Sequence, residues 1–214
     1  MRVYRLRLCT AALALSVWFA AGCGQGKQGR TCPDGTGKDL SGRTVVGVEL
    51  WQKKLRCVNL EGSELTGSVS EANLSRGNLF GARLADVSLQ SVDLRDADLR
   101  RAQLSSGTLA EVDLRGADLG RAVLDKSLLT NVSFEGARLR GAMLRSVSLT
   151  NVDFGDADLR DADLAGAALS GTTLRGARLD GADLSDTSWE NVVCPDGTKS
   201  VGKRSCAGHL DLSS

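Results

Sequence analysis

From Leu74 to Trp189 a large apolar residue stands at every fifth position without a miss: 24 positions, 21 of them Leu and the others Phe134, Phe154 and Trp189. Two residues before each sits a small or β-branched uncharged residue, and no charge enters either slot although charges crowd the other three. An α-helix repeats every ~3.6 residues and a strand every ~2. A period of five fits neither, so the chain must turn a corner every five residues. Internal repetition of this kind dictates a solenoid, in which each unit buries its apolar side only against its neighbours.

Strings such as "ADLRDADLAG" at Ala157 to Gly166 and "ARLDGADLSD" at Ala177 to Asp186 resemble the pentapeptide-repeat family, A(D/N)LXX, over about Leu50 to Asn191. The resemblance implies an all-β fold, a right-handed quadrilateral parallel β-helix with four pentapeptides per coil. A twenty-residue coil has a signature inside the sequence. Val92, Val112, Val132 and Val152 lie twenty apart, as do Ala97, Ala117, Ala137, Ala157 and Ala177, and Phe134 and Phe154 should stack. A narrow square core takes one large and one small side chain per side at close-packed density. Each buried Leu contributes about 2 kcal/mol before entropy, and an inward charge would cost several. Proline would remove a ladder donor, and none occurs between Pro33 and Pro195.

Leu50, Leu55, Leu60 and Leu65 keep the five-step, but Val69 follows after four. This reads as a one-residue deletion at Thr66 to Ser68, absorbed at a corner. About seven coils are expected, a stack of about 34 Å at the inter-strand spacing.

The chain opens "MRVYRLRLCTAALALSVWFAAGCGQ", with Arg2, Arg5 and Arg7 before an apolar run too short for a lasting membrane span. That is the pattern of an export signal. "AAGC" resembles the lipobox of bacterial lipoproteins, with Ala20 where that family has Leu, and Gly24 after the cysteine is similar to lipoproteins sorted to the outer membrane. The expectation is a signal peptide over 1–22, lipidation of Cys23 and a tether over 23–31, giving an outer-membrane lipoprotein of the cell envelope. The alternative is a soluble secreted protein cleaved near "AAG". Lipidation also resolves an odd count. Cys23, Cys32, Cys57, Cys194 and Cys206 remain after the signal, and taking Cys23 away leaves four to pair in an oxidising compartment.

"CPDGT" occurs at Cys32 to Thr36 and again at Cys194 to Thr198, bracketing the repeats. The motif is turn chemistry, and solenoid ends need caps. Cys57 and Cys194 lie nearly seven coils apart, about 30 Å, whereas a disulfide needs Cα atoms within about 7 Å. Only Cys32–Cys57 and Cys194–Cys206 keep each bond at one end. The expected organisation is an N-terminal cap and first coil over 32–57, the repeat body over 58–193 and a C-terminal cap and tail over 194–214. Trp51 and Trp189 stand beside the two ends, where they would cover exposed core. Capped ends predict a monomer.

Removing Arg2, Arg5 and Arg7 leaves 24 basic against 26 acidic residues, which gives no electrostatic case for nucleic acid. Some pentapeptide-repeat proteins mimic DNA and bind topoisomerases. That alternative is opposed by the export signal and by the balance of 14 positive against 18 negative residues from Asn73 to Asn191. No nucleophile–His–carboxylate set or phosphate loop is present, the chain has one His, His209, and there is no CxxC. No catalysis, cofactor or metal is expected.

The face carrying Arg100, Arg101, Arg121, Arg138, Arg140, Arg160 and Arg178 interleaves them with Asp98, Asp118, Asp158, Asp161 and Asp180, and should compensate itself. One face differs. It runs through Ser88, Gln90, Thr108, Leu128, Thr130, Asn131, Ser148, Thr150, Asn151, Ala168, Ser170 and Asn191, with no Lys or Arg and with Glu111 and Glu190 as its acids. Val123 and Met143 point outward beside it. A flat, nearly neutral surface with scattered apolar residues is the candidate for a protein contact, centred on Leu128, Thr130, Asn131, Thr150, Asn151 and Met143. The expected function is a lipid-anchored structural or protein-binding module of the envelope.

Overall fold

The computed structural model describes residues 37–200 and Cys206. The expected signal peptide and tether, Cys23 and Cys32 lie outside these residues, as does the tail beyond Cys206. The strands are β1 (Thr44–Val46), β2 (Glu64–Thr66), β3 (Ser68–Ser70), β4 (Ser88–Gln90), β5 (Thr108–Ala110), β6 (Leu128–Thr130), β7 (Ser148–Thr150), β8 (Ala168–Ser170) and β9 (Ser188–Glu190), with a 3-10 helix at Gly47–Leu50.

β3 to β9 form one seven-stranded parallel sheet in sequence order. Each strand pairs with its equivalent twenty residues on, Leu89 opposite Leu109 and Leu109 opposite Leu129. The other three sides of each coil meet their neighbours through single parallel bridges, such as Asp93 to Asp113, Asp98 to Asp118 and Gln103 to Val123. The result is a parallel β-solenoid of about seven coils.

The corners explain the period. The second residue after each large apolar residue has left-handed φ, from Arg76 (57°) and Asp86 (58°) to Asn191 (52°), the slot a type II turn demands. Three corners per coil close with a turn hydrogen bond, as in Gly77 N–H to Leu74 O (3.0 Å), Ala82 N–H to Leu79 O (3.0 Å) and Val87 N–H to Leu84 O (3.3 Å). The corner after each sheet strand has no such bond, so the backbone there stays extended for three residues. Left-handed φ costs a residue with a Cβ about 1–2 kcal/mol. The corner N–H groups offset that by bonding to the next coil, as Arg101 N–H does to Gly120 O at 3.1 Å.

The register slip sits where the spacing predicts. β1 pairs β2 and β3 pairs β4 at a step of twenty, but Lys54 to Asn73, Asn59 to Asn78 and Glu64 to Arg83 step by nineteen. The missing residue falls at Gly67, φ 80°, between β2 and β3. A deletion inside a side would turn every following side chain over; at a corner it shortens one turn and leaves the inward set in phase.

The inward positions are dry. Leu79, Leu99, Leu119 and Leu139 are fully buried, with Ala97, Ala117 and Ala122 between them. Phe134 and Phe154 stack with centroids 4.9 Å apart and planes 5° off parallel. Polar residues in the small slot bond to backbone: Ser63 Oγ donates to Leu60 O (2.8 Å) and Ser127 Oγ to Leu104 O (2.7 Å). Thr172, which continues the column of Val92, Val112, Val132 and Val152, is fully buried and its Oγ1 has no partner.

The two ends are capped differently. At the C-terminal end Gly197 N–H donates to Cys194 O (2.9 Å), making "CPDG" a tight turn, and Ser200 N–H returns to Val192 O (2.8 Å). Cys194 and Cys206, both fully buried, form a disulfide with Cα atoms 5.6 Å apart. Trp189 is 2% exposed, and its indole N–H donates to Thr187 Oγ1 at 2.7 Å. At the N-terminal end the 3-10 helix lies on β3. A Cβ on Gly47 would stand 2.3 Å from the Ser68 carbonyl oxygen, so only glycine permits that approach. Trp51, expected to cover core, is instead 52% exposed. It directly follows the inward-pointing, buried Leu50 and so falls one position out of the inward phase. Cys57 is disulfide-bonded, and its expected partner Cys32 lies outside the described residues.

Candidate interaction surfaces

The Asp or Asn of each repeat caps its corner. Its side-chain oxygen accepts the backbone N–H two residues on: Arg95 N–H to Asp93 Oδ1 (3.1 Å), Gly120 N–H to Asp118 Oδ1 (3.1 Å), Gly155 N–H to Asp153 Oδ1 (2.8 Å). This is the Asx turn, a local competitor to strand structure that here supplies the bend. Asp196 does the same for Thr198 N–H (2.9 Å) inside the second "CPDGT". The N–H of Ser185 holds the Asp183 carboxyl below its ordinary value.

Where Arg follows in "DLR", the same carboxylate also takes a guanidinium fork. Arg95, Arg100, Arg115 and Arg160 each place Nε and Nη2 on the two oxygens of Asp93, Asp98, Asp113 and Asp158. The Arg95 and Arg160 forks lower the carboxyls of Asp93 and Asp158. Burial pushes the Asp113 carboxyl up, but Arg115, through its side chain and backbone N–H, leaves it below its ordinary value.

The arginine face is nearly, but not wholly, self-compensated. Its five carboxylates pair five arginines: Asp98 with Arg100, Asp118 with Arg138, Asp158 with Arg160, Asp161 with Arg140 and Asp180 with Arg178. Arg101 and Arg121 are left over.

The neutral face is the seven-stranded sheet. Leu128 is 54% exposed on β6 and lies opposite Ser148. Thr130 pairs with Thr150 across β6 and β7, both exposed. Asn131 and Asn151 stand at the corner beside them, with φ of 54° and 53°, and Asn151 Nδ2 donates to Asn131 Oδ1 at 3.3 Å. Left-handed φ favours Asn, so corner geometry and stacking account for both asparagines. Met143 lies on the adjoining side, half-buried, bridged to Val123 and Asp163. Small outward residues over β7 to β9 (Ser148, Ala168, Ser170 and Ser188) leave a depression of about 510 Å³. The sheet therefore brings Leu128, Thr130 and Thr150 onto one plane and sets Met143 apart. Among the described residues, no group of three or more His, Cys, Asp or Glu is placed to hold a metal ion, and no helix is long and apolar enough to cross a membrane.

Among curated proteins none matches this chain. Solved structures do. QnrB1, a plasmid-mediated fluoroquinolone resistance protein, is 18% identical, with 73% of this chain and 89% of that one covered and a TM-score of 0.46. A pentapeptide repeat protein from the thylakoid lumen of Arabidopsis thaliana is 35% identical over 38% of this chain and 57% of its own, with a TM-score of 0.37. HetL, a pentapeptide repeat protein involved in heterocyst differentiation regulation in the cyanobacterium Nostoc, is 23% identical over 76% of this chain and 92% of its own, with a TM-score of 0.26. The family model for pentapeptide repeats matches in 8 copies over residues 70–105, 108–145 and 148–186. Those segments make up more than half of the chain, which therefore belongs to the pentapeptide-repeat family.

Proposed function

We propose that this chain is a rigid, non-catalytic protein-binding module, held at the cell envelope by lipid on Cys23, that presents its seven-stranded face to a protein partner. The observation that carries the reading is the chemistry of that face: a regular parallel sheet with no Lys or Arg among its outward strand residues and with Leu128 standing 54% exposed at its centre. A plane without cations, whose acids are Glu111 and Glu190, is cheaper to desolvate than a charged one, and a fixed plane loses little entropy on binding. The anchor rests on the sequence of residues 1–23 alone.

A photo-crosslinking residue placed at Leu128 or Thr150 in living cells should yield one dominant adduct, identified by mass spectrometry. The same residue at Asp156, on a different corner, should not. Equal labelling from all three positions overturns the assignment of the face. Membrane association should be lost in Cys23→Ser; a variant that stays membrane-bound overturns the anchor and leaves the face standing.

A further inference from the structure

We infer that Arg101 and Arg121 form the floor of an anion site that takes a doubly charged phosphate group. The site lies on the side of the solenoid opposite the neutral sheet and is independent of the reading above. A cleft of about 730 Å³ opens there, lined by Phe80, Arg100, Arg101, Gly120, Arg121, Arg140, Gly141 and Asp161.

Two glycines open the cleft, and backbone geometry requires neither. Gly120 has no left-handed φ, and a Cβ there would come no nearer than 3.3 Å to Asp118 Oδ1. Gly141 has φ 64°, but Arg101 (60°), Arg121 (58°) and Asp161 (58°) fill the same slot in neighbouring coils with their side chains intact. What the glycines contribute is missing side chains, and so space between arginines.

Charge is arranged around that space. Arg100 is committed to Asp98 and Arg140 to Asp161, at 3.0 Å for the latter. Arg101 and Arg121 pair with no carboxylate among the described residues and lie one coil apart, about 4.8 Å along the axis. Both Arg100 and Arg101 hold their guanidinium carbons over the Phe80 ring, at 5.5 and 5.7 Å from its centroid. The ring's negative face steadies two like charges side by side without neutralising them.

Elsewhere on this face one guanidinium fork satisfies one carboxylate, as Arg160 does for Asp158. Two arginines without a carboxylate partner among the described residues, carried one coil apart on the same corner and lining one cleft, fit an anion with more acceptor oxygens and a second charge, which is a phosphate monoester or inorganic phosphate.

The test uses the full chain titrated by calorimetry with inorganic phosphate, and separately with a short-chain phosphatidate below its micelle concentration, both in constant chloride. Binding of inorganic phosphate is expected, weakened about tenfold or more in Arg101→Gln/Arg121→Gln. Arg160→Gln, which breaks a satisfied pair, should change it by less than about twofold. Gly120→Leu should weaken it about as much as the double variant by filling the floor with charge unchanged. Binding of both ligands supports the site and admits a lipid headgroup; binding of inorganic phosphate alone supports it for free anions. No binding of either ligand, or equal affinity in the double variant, overturns it.

Discussion

The neutral sheet and the arginine face lie on opposite sides of one solenoid, ten residues apart in every coil, and behind each runs its own column of buried leucines. Their corners use the same left-handed residue. They differ in backbone pairing, a continuous sheet against single bridges, and in what points outward. The sheet face stacks Ser, Thr, Ala and Gln, which tolerate their own kind one coil away. The arginine face cannot do so. Its ladder runs Asp98, Asp118, Arg138, Asp158, Arg178, and where two aspartates adjoin, Arg100 and Arg138 neutralise them. In this fold the interior sets the shape, and each outer face is free to take any chemistry whose stacked charges can be balanced.

If the interior serves both faces alike, truncating it should hurt both alike. Leu129→Ala behind the sheet and Leu139→Ala behind the arginines should each lose about 2–5 kcal/mol in urea unfolding. A large loss on one side only would break the equivalence. Acid should separate the faces. Strands β3 to β9 contain no Asp, whereas the Asp158 carboxyl on the other face is held below its ordinary value of 3.8 by Arg160. A lowered folded-state value means that the stabilisation is complete above the ordinary value and is lost as pH falls below it. Asp158→Asn should therefore cost about 1 kcal/mol at pH 7, after allowance for solvent screening, and almost nothing at pH 2, read from denaturant midpoints at the two pH values. Thr172→Val should raise stability by about 1 kcal/mol, because it removes a buried hydroxyl without a partner and completes the valine column; a differential thermal scan reads it. Leu128→Ser on the sheet should move stability by less than about 0.5 kcal/mol while abolishing the crosslink to the partner.

Most of the fold could be read before any coordinates, because each inward residue repeats its signal every five and every twenty positions. The deletion at Gly67 was legible for the same reason: a break in a strict period has one address. The stacking of Phe134 on Phe154 followed from their spacing alone. The side that becomes a continuous sheet was not legible as a sheet. The absence of a turn bond after each strand is a backbone property that the outward residues do not encode. The capping role of the repeat Asp carried a signal, since "DLR" recurs at Asp93, Asp98, Asp113 and Asp158, but a fork needs two side chains to meet and spacing alone does not reveal that. The two tryptophans show where end arguments fail. Trp189 stays in the five-residue phase and is buried, while Trp51 is one residue out of phase and faces water. The arginine cleft escaped because charge counting gives seven against five for the whole face, and only the pairing geometry shows which two arginines remain.

The bonds that join coil to coil all run along the solenoid axis. Tension between the two ends of the stack therefore loads the coils in series, so they yield one after another. Each rupture frees one coil of twenty residues, roughly 70 Å of extended chain. Pulled from its N-terminal end, the protein should lengthen in near-equal steps rather than snap, a load-limiting element whose step size is set by the repeat.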